Sequence, residues 1–248
     1  MEIYFGIVVF LFGLTVGSFL NVLLYRLPKG LGVAKGFSFC PRCNHRLMPK
    51  DLVPLFSYLF LGGKCRYCKA KISPQYPFVE SLNAVLWVLC YVKLGLNPLS
   101  VCYMLMFSCF VVLMFTDWQE RIIPDQINIA IFAFALAIAF LDSSLSLKSR
   151  LIGALCISVP MVVLGFFGAM GGGDIKLMVG AGLALGWKLA LLTTVLGSCL
   201  GSAVYLALKN SKHSPGRYIP FGTFLAIAGI FSVFFGNTLI EWYLGLMR

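Results

Sequence analysis

Two aspartates and four cysteines are the residues of this 248-residue chain whose types and spacing offer chemistry. The chain has only nine acidic residues, and four of them, Asp117, Glu120, Asp125 and Asp174, fall in short connections between apolar stretches. Carboxylates at the edge of a hydrocarbon layer are costly to desolvate, so they are retained mainly where they line a water-filled cavity, bind a cation or move protons. Asp174 closes Gly171-Gly172-Gly173-Asp174, where three glycines remove side-chain bulk and open backbone conformations closed to other residues. A substrate strand would have room beside that carboxylate; a flexible turn between helices is the plainer reading. If Asp117 and Asp174 meet, they share one proton: the ionised partner takes a proton from water while the protonated one polarises a scissile carbonyl. That is the chemistry of an aspartic protease.

The second constellation is Cys40-Pro-Arg-Cys43 and Cys65-Arg-Tyr-Cys68, a C-x2-C pair, a spacer of 21 residues and a second C-x2-C. Each pair can aim two thiolates at one point, and together they supply the tetrahedral sulphur set of a structural zinc. The segment around them is too short to build its own apolar core, and a metal would supply the missing stability. A redox dithiol pair or disulfides are the competing readings; a reducing cytosolic setting favours metal. Cys90, Cys102, Cys109, Cys156 and Cys199 sit singly in apolar runs and read as small buried hydrophobes.

Rivals are few. His45 lies in the cysteine loop and His213 in a basic loop, so no Ser-His-Asp arrangement is supported. Neither H-E-x-x-H nor G-x-x-x-x-G-K-[ST] occurs.

The elements that must position these residues lie in a bilayer, since 60% of residues are hydrophobic and 12% charged. Apolar stretches predict an all-α integral membrane protein of about eight spans, roughly 3–25, 78–95, 99–116, 126–141, 151–170, 175–187, 189–208 and 219–244. The sixth and seventh nearly touch at Trp187-Lys188. The chain divides by composition into a first helix (1–28), a cytoplasmic four-cysteine loop (29–77) and a polytopic domain (78–248). The first span lacks a basic leading region and a small-residue cleavage site and reads as a retained helix. Its Gly13 and Gly17 form a G-x-x-x-G step suited to close helix packing.

The net charge of +11 reflects topology rather than nucleic-acid binding. With the N-terminus outside, fifteen of the twenty Lys and Arg fall on the cytoplasmic side, among them Lys35, Lys212 and Arg217. The other face keeps Lys93, Lys148, Arg150, Lys188 and Arg248. In this topology, spans four and five go out and return, so Asp117 and Asp174 arrive at one cytoplasmic depth.

These residues resemble the type IV prepilin peptidase family, whose aspartyl active site is of the G-x-G-D class. Gly17-Ser18-Phe19-Leu20-Asn21-Val22 with Tyr25-Arg26-Leu27-Pro28 is similar to the family's opening, and Tyr76-Pro77-Phe78-Val79-Glu80 to the start of its second span. Phe115-Thr116-Asp117 with Ile123-Pro124-Asp125, Gly171 to Lys176, and Ile219-Pro220-Phe221-Gly222 are similar to its later segments. The resemblance implies a bacterial inner-membrane enzyme that cuts a short basic leader from type IV prepilin or pseudopilin precursors on the cytoplasmic side. It implies Asp117 and Asp174 as the catalytic pair, with Glu120 and Asp125 as neighbours. Members with the large cysteine loop also N-methylate the new N-terminal residue, usually phenylalanine, from S-adenosylmethionine. Nothing in this sequence independently shows a methyl-donor site. Glu80 stands as a participant near the base of the loop or as a polar packing residue.

Two functions of other classes remain. An ion- or proton-coupled transporter would use acidic residues in glycine-broken helices, and Asp125 with Lys176 fits it; no repeat relates 1–120 to 121–248. A membrane scaffold would use only the zinc loop.

Overall fold

In hydrocarbon every backbone N–H and C=O must find its partner inside the segment, which makes long uncharged runs helical. A computed structural model of the chain describes residues 1–33, 36–209 and 219–246; Lys35, Lys212, His213, Arg217 and Arg248 lie outside the described residues. Among the described residues are α1 (Glu2–Arg26), a 3-10 turn at Pro49–Asp51, α2 (Phe56–Phe60), α3 (Gln75–Leu94), α4 (Pro98–Glu120), α5 (Asp125–Leu141), α6 (Leu147–Cys156), α7 (Ser158–Phe166), α8 (Gly172–Leu208) and α9 (Phe221–Leu246). The only β pairing described is two isolated bridges, Phe39 with Arg46 and Lys64 with Lys71.

Among the described residues, six helical stretches are long and apolar enough to cross a membrane: α1, α3, α4, Leu147–Phe166 spanning α6 and α7, α8 and α9. The apolar α5 is shorter, at 17 residues. The difference from about eight lies in α5 and in α8, which runs 37 residues through the expected gap between the sixth and seventh spans. Its interior is nonetheless broken at Gly186, whose φ of 74° is open to glycine and strained for other residues.

By contacts the chain divides after Ser100 into two compact units, whereas composition divided it at 28 and 77. In the first unit α1 packs along α3. A Cβ at Gly13 would stand 2.7 Å from Ala84 Cα, and one at Gly17 2.7 Å from Glu80 Cα, so the G-x-x-x-G step is a helix-packing seam. Asn83 Nδ2 donates to Gly13 O and Asn21 Nδ2 to Tyr76 O across the same seam.

In the second unit α8 packs against α5, α6 and α9. Phe107 of α4 stacks near Phe234 of α9, and Thr193 of α8 bonds Ser232 of α9 at 2.9 Å in the interior. Near the break in α8 the buried Arg150 guanidinium donates to Leu183 O and Ala184 O, and to the Asp142 carboxylate at 2.8 Å. Burial pushes the Asp142 carboxyl up, but bonds from Ser144 and Arg150 outweigh it and hold the group below the usual carboxylate range. A Cβ on Gly182 would collide with the Gly153 carbonyl, which makes the α6–α8 crossing a glycine-on-glycine contact.

Candidate active site and metal centre

The first unit brings the four cysteines together. Cys40 N–H donates to His45 O and Asn44 N–H to Cys40 O; Cys65 N–H donates to Ala70 O and Lys69 N–H to Cys65 O. The two turns are thus the same device, and each puts the residue after its second cysteine at positive φ, Asn44 at 54° and Lys69 at 59°. Their four sulphurs all lie within 4.8 Å of one another, with Cys40 Sγ 3.9 Å from Cys68 Sγ. Thiolates arranged tetrahedrally around zinc at about 2.3 Å stand about 3.8 Å apart, so the donor set fits that metal. Burial pushes the Cys40 thiol up, but N–H groups of Cys43 and Arg42 draw it down to about 7, towards the thiolate a metal needs. Asp51 ties the segment between the two pairs to the second one, accepting from Arg66 Nε at 2.6 Å, Tyr67 Oη at 3.1 Å and Met48 N–H at 3.2 Å.

The second unit brings Asp117 and Asp174 together. Both lie inside helices, not in the connections after them. Asp117 is in the last turn of α4, which runs on to Glu120 and stops where Arg121 turns to a φ of 55° and donates its N–H to Asp117 O. Asp174 is in the first turn of α8, capped by Gly171. The two carboxylates face one point on α9: a Cβ on Gly222 would stand 2.9 Å from Asp174 Oδ1 and 3.1 Å from Asp117 Oδ2. The oxygens are therefore no farther apart than those two distances end to end, so both carboxylates border one small space.

Of the three glycines before Asp174, Gly171 and Gly173 stand where side-chain bulk would meet a neighbour, while Gly172 has open space around it. None has positive φ; the left-handed residue is Gly168. A Cβ on Gly173 would meet Ile123 Cβ at 2.8 Å, and one on Gly171 would meet Asp174 Oδ2 at 3.2 Å.

Sequence reasoning missed two residues. Thr223 donates its backbone N–H to Asp117 Oδ2 at 2.7 Å, with its hydroxyl 3.2 Å from the same oxygen and 3.1 Å from Met114 O. Asn128 donates from Nδ2 to Gly173 O at 3.3 Å. Neither carries a local sequence signal, since each acts on a residue far along the chain. Asp125 pairs with Lys176 at 2.6 Å, both exposed, and Glu120 is exposed at the end of α4. Asp174 Oδ1 is buried without a hydrogen-bond partner among the described residues.

A family model described as the bacterial peptidase A24 N-terminal domain matches residues 11–94, and one described as the type IV leader peptidase family matches residues 104–206. The chain is 34% identical to a prepilin leader peptidase/N-methyltransferase of Aeromonas hydrophila, covering 98% of this chain and 94% of the relative. The chain belongs to the type IV leader peptidase family. Proteins of the same printed name from Bacillus subtilis (strain 168), 30% identical over 96% of this chain and 97% of the relative, and from Pseudomonas aeruginosa, 32% identical over 94% and 91%, extend the likeness. No solved structure matches the chain. The apolar helices and the family together make this a multi-pass protein of the inner membrane.

Proposed function

We propose that this chain cleaves the basic leader from type IV prepilin-like precursors and methylates the new N-terminal amine, with Asp117 and Asp174 as the catalytic carboxylates. The observation that carries the peptidase half is the convergence of the two carboxylates on Gly222, one anchored by Thr223 and the other with an unpartnered oxygen. In the reaction, water attacks the scissile carbonyl carbon as one carboxylate takes its proton and the other gives its own to the carbonyl oxygen. Collapse of the resulting diol breaks the C–N bond, and the leaving amine takes a proton from the pair. Thr223 N–H fixes the Asp117 carboxylate, and Gly222 leaves the space between the carboxylates open for the peptide.

The finer reading has eight crossings, with the Gly186 break dividing α8 and with α5 as a crossing. Both carboxylates then face the cytoplasm, as does the four-cysteine loop. Zinc in that loop is structural: Cys40, Cys43, Cys65 and Cys68 would hold it and need no open coordination position. The methyltransferase half follows the relatives' name, and S-adenosylmethionine would supply the methyl group. The residues that bind the donor are not assigned.

The test is mass spectrometry of a pilin-like precursor incubated with the detergent-purified protein, or its Asp174→Asn variant, and S-adenosylmethionine. A leader-sized loss with the unaltered chain alone is expected, with a further gain of one methyl group. Equal cleavage by the variant would remove Asp174 from the mechanism.

A further inference from the structure

Residues 52–61, Leu-Val-Pro-Leu-Phe-Ser-Tyr-Leu-Phe-Leu, form a charge-free apolar stretch inside an otherwise basic loop. It is bracketed by Lys50 and Asp51 on one side and by Lys64 and Arg66 on the other. Its apolar side chains are not folded inward: Phe60 is 87% exposed, Leu59 62%, Val53 45% and Phe56 44%. Contiguous exposed residues of this kind mark a surface that something apolar covers.

The position of the stretch identifies the cover. Leu55, which caps α2, has φ 60° and ψ −51°, a conformation that a leucine keeps only where its surroundings impose it. Glu80 holds it there: its Oε2 accepts the Leu55 N–H at 2.7 Å, and its side chain also takes a bond from Ser18. Glu80 is buried within α3, about 7.5 Å along the axis from the helix's first residue, and it touches Gly17, about 13 Å before the end of α1. Both helices are long and apolar enough to span a membrane. A loop tied there sits inside the helix ends, near the level where amphipathic segments lie about 5–10 Å into the boundary between headgroups and acyl chains.

We propose that residues 52–61 are an interfacial foot, seated in the lipid surface of the bilayer that α1 and α3 cross and latched there by Glu80. The four-cysteine turns are thereby held against the membrane instead of swinging free in solvent. Lys50, Lys64 and Lys71, all exposed, flank the foot where anionic headgroups would meet them. The chemistry of the partner is that of a phospholipid monolayer: acyl chains for Leu59 and Phe60, acidic headgroups for the lysines.

The test uses the full chain with Phe60, or in a second protein Leu59, replaced by the photocrosslinker p-benzoylphenylalanine. The proteins are reconstituted into vesicles of phosphatidylethanolamine and phosphatidylglycerol, irradiated, and read by mass spectrometry. A lipid adduct at 59 and 60 is expected, with little at Arg42 on the first knuckle as the control. Adding Glu80→Ala lowers the yield at 60 several-fold, whereas Glu80→Gln, which keeps an acceptor, leaves it near its starting value. A cross-link from both 59 and 60 to a second copy of the chain, no adduct at either, or equal lipid yields at 60 and 42 would overturn the proposal. None of these readouts depends on cleavage, so failure here leaves the peptidase reading intact.

Discussion

In the first unit each cysteine pair is closed by its own neighbours, Cys40 N–H to His45 O and Cys65 N–H to Ala70 O. In the second unit the bond that fixes Asp117 comes from Thr223, 106 positions along the chain. The cysteine turns are local structures whose geometry survives wherever the segment folds, and a metal held by the four sulphurs would add the long-range closure. The carboxylate pair has no local structure at all: α4, α8 and α9 must each be in place before the two oxygens meet at Gly222. The contrast teaches where each site is vulnerable. The first fails by loss of ligands, the second by ångström shifts in helix packing.

Crossing the two sites breaks the comparison most sharply. Asp117→Asn or Asp174→Asn should lower precursor cleavage by at least about a thousandfold, because a residue of the shared-proton pair is replaced by an amide that can neither take nor give that proton. Zinc content, read by elemental analysis, should stay unchanged in both. Cys40→Ser or Cys65→Ser should do the reverse in the first unit, with bound zinc lost and the loop opened to protease. Cleavage in these variants should persist better than methylation. Zinc retained in both cysteine variants would dismiss the metal.

Packing comes next. Gly222→Ala puts a Cβ 2.6 Å from Ile123 Cδ1 and 2.9 Å from Asp174 Oδ1, so it must part the carboxylates or displace Ile123. A loss of about 100-fold in kcat/KM is expected, roughly 2.7 kcal/mol of transition-state stabilisation. Adding Ile123→Ala, which removes the flexible obstacle, should restore part of it; no restoration would mean that the carboxylate contact alone matters.

A smaller effect should follow pH at the opposite end of the second unit. The folded Asp142 carboxyl titrates below its unfolded value, so its contribution to stability is present above the unfolded pKa of about 3.9 and is lost as pH falls through the folded one. Thermal scans of the unaltered chain should therefore show a fall in midpoint below about pH 4 that Asp142→Asn lacks, the variant starting from a lower midpoint. Parallel curves would show that Arg150 is satisfied by Leu183 O and Ala184 O alone.

The smallest change is expected from Thr223→Val, which removes the hydroxyl but keeps the N–H bond to Asp117. About 1 kcal/mol, a five- to tenfold loss in kcat, is the scale for one hydrogen bond. An unchanged rate would place the hydroxyl's bond on Met114 O instead.

What the sequence showed and withheld divides along the same line. The C-x2-C turns were legible because four residues contain their own geometry, and the helices because apolar runs of that length have few other uses. Asp117 and Asp174 stood out through scarcity of charge. The length of α4 past Thr116 was not legible, since polar residues such as Gln119 sit in helices whenever neighbours keep the turn going; the break in α8 falls at Gly186, beside the gap expected at Trp187-Lys188. Thr223 and Asn128 were invisible for a deeper reason: their partners are chosen by packing between helices that no local pattern specifies.

The tie between Thr223 and Asp117 also sets an order in time. Membrane helices emerge from synthesis in chain order, α4 early, α8 later and α9 last. Until Phe221 and the residues after it have docked, Asp117 lacks its N–H donor and the gap that Gly222 keeps open has no wall. On the proposed function, a nascent chain that stalls before α9 is thus a membrane protein that cannot yet cut.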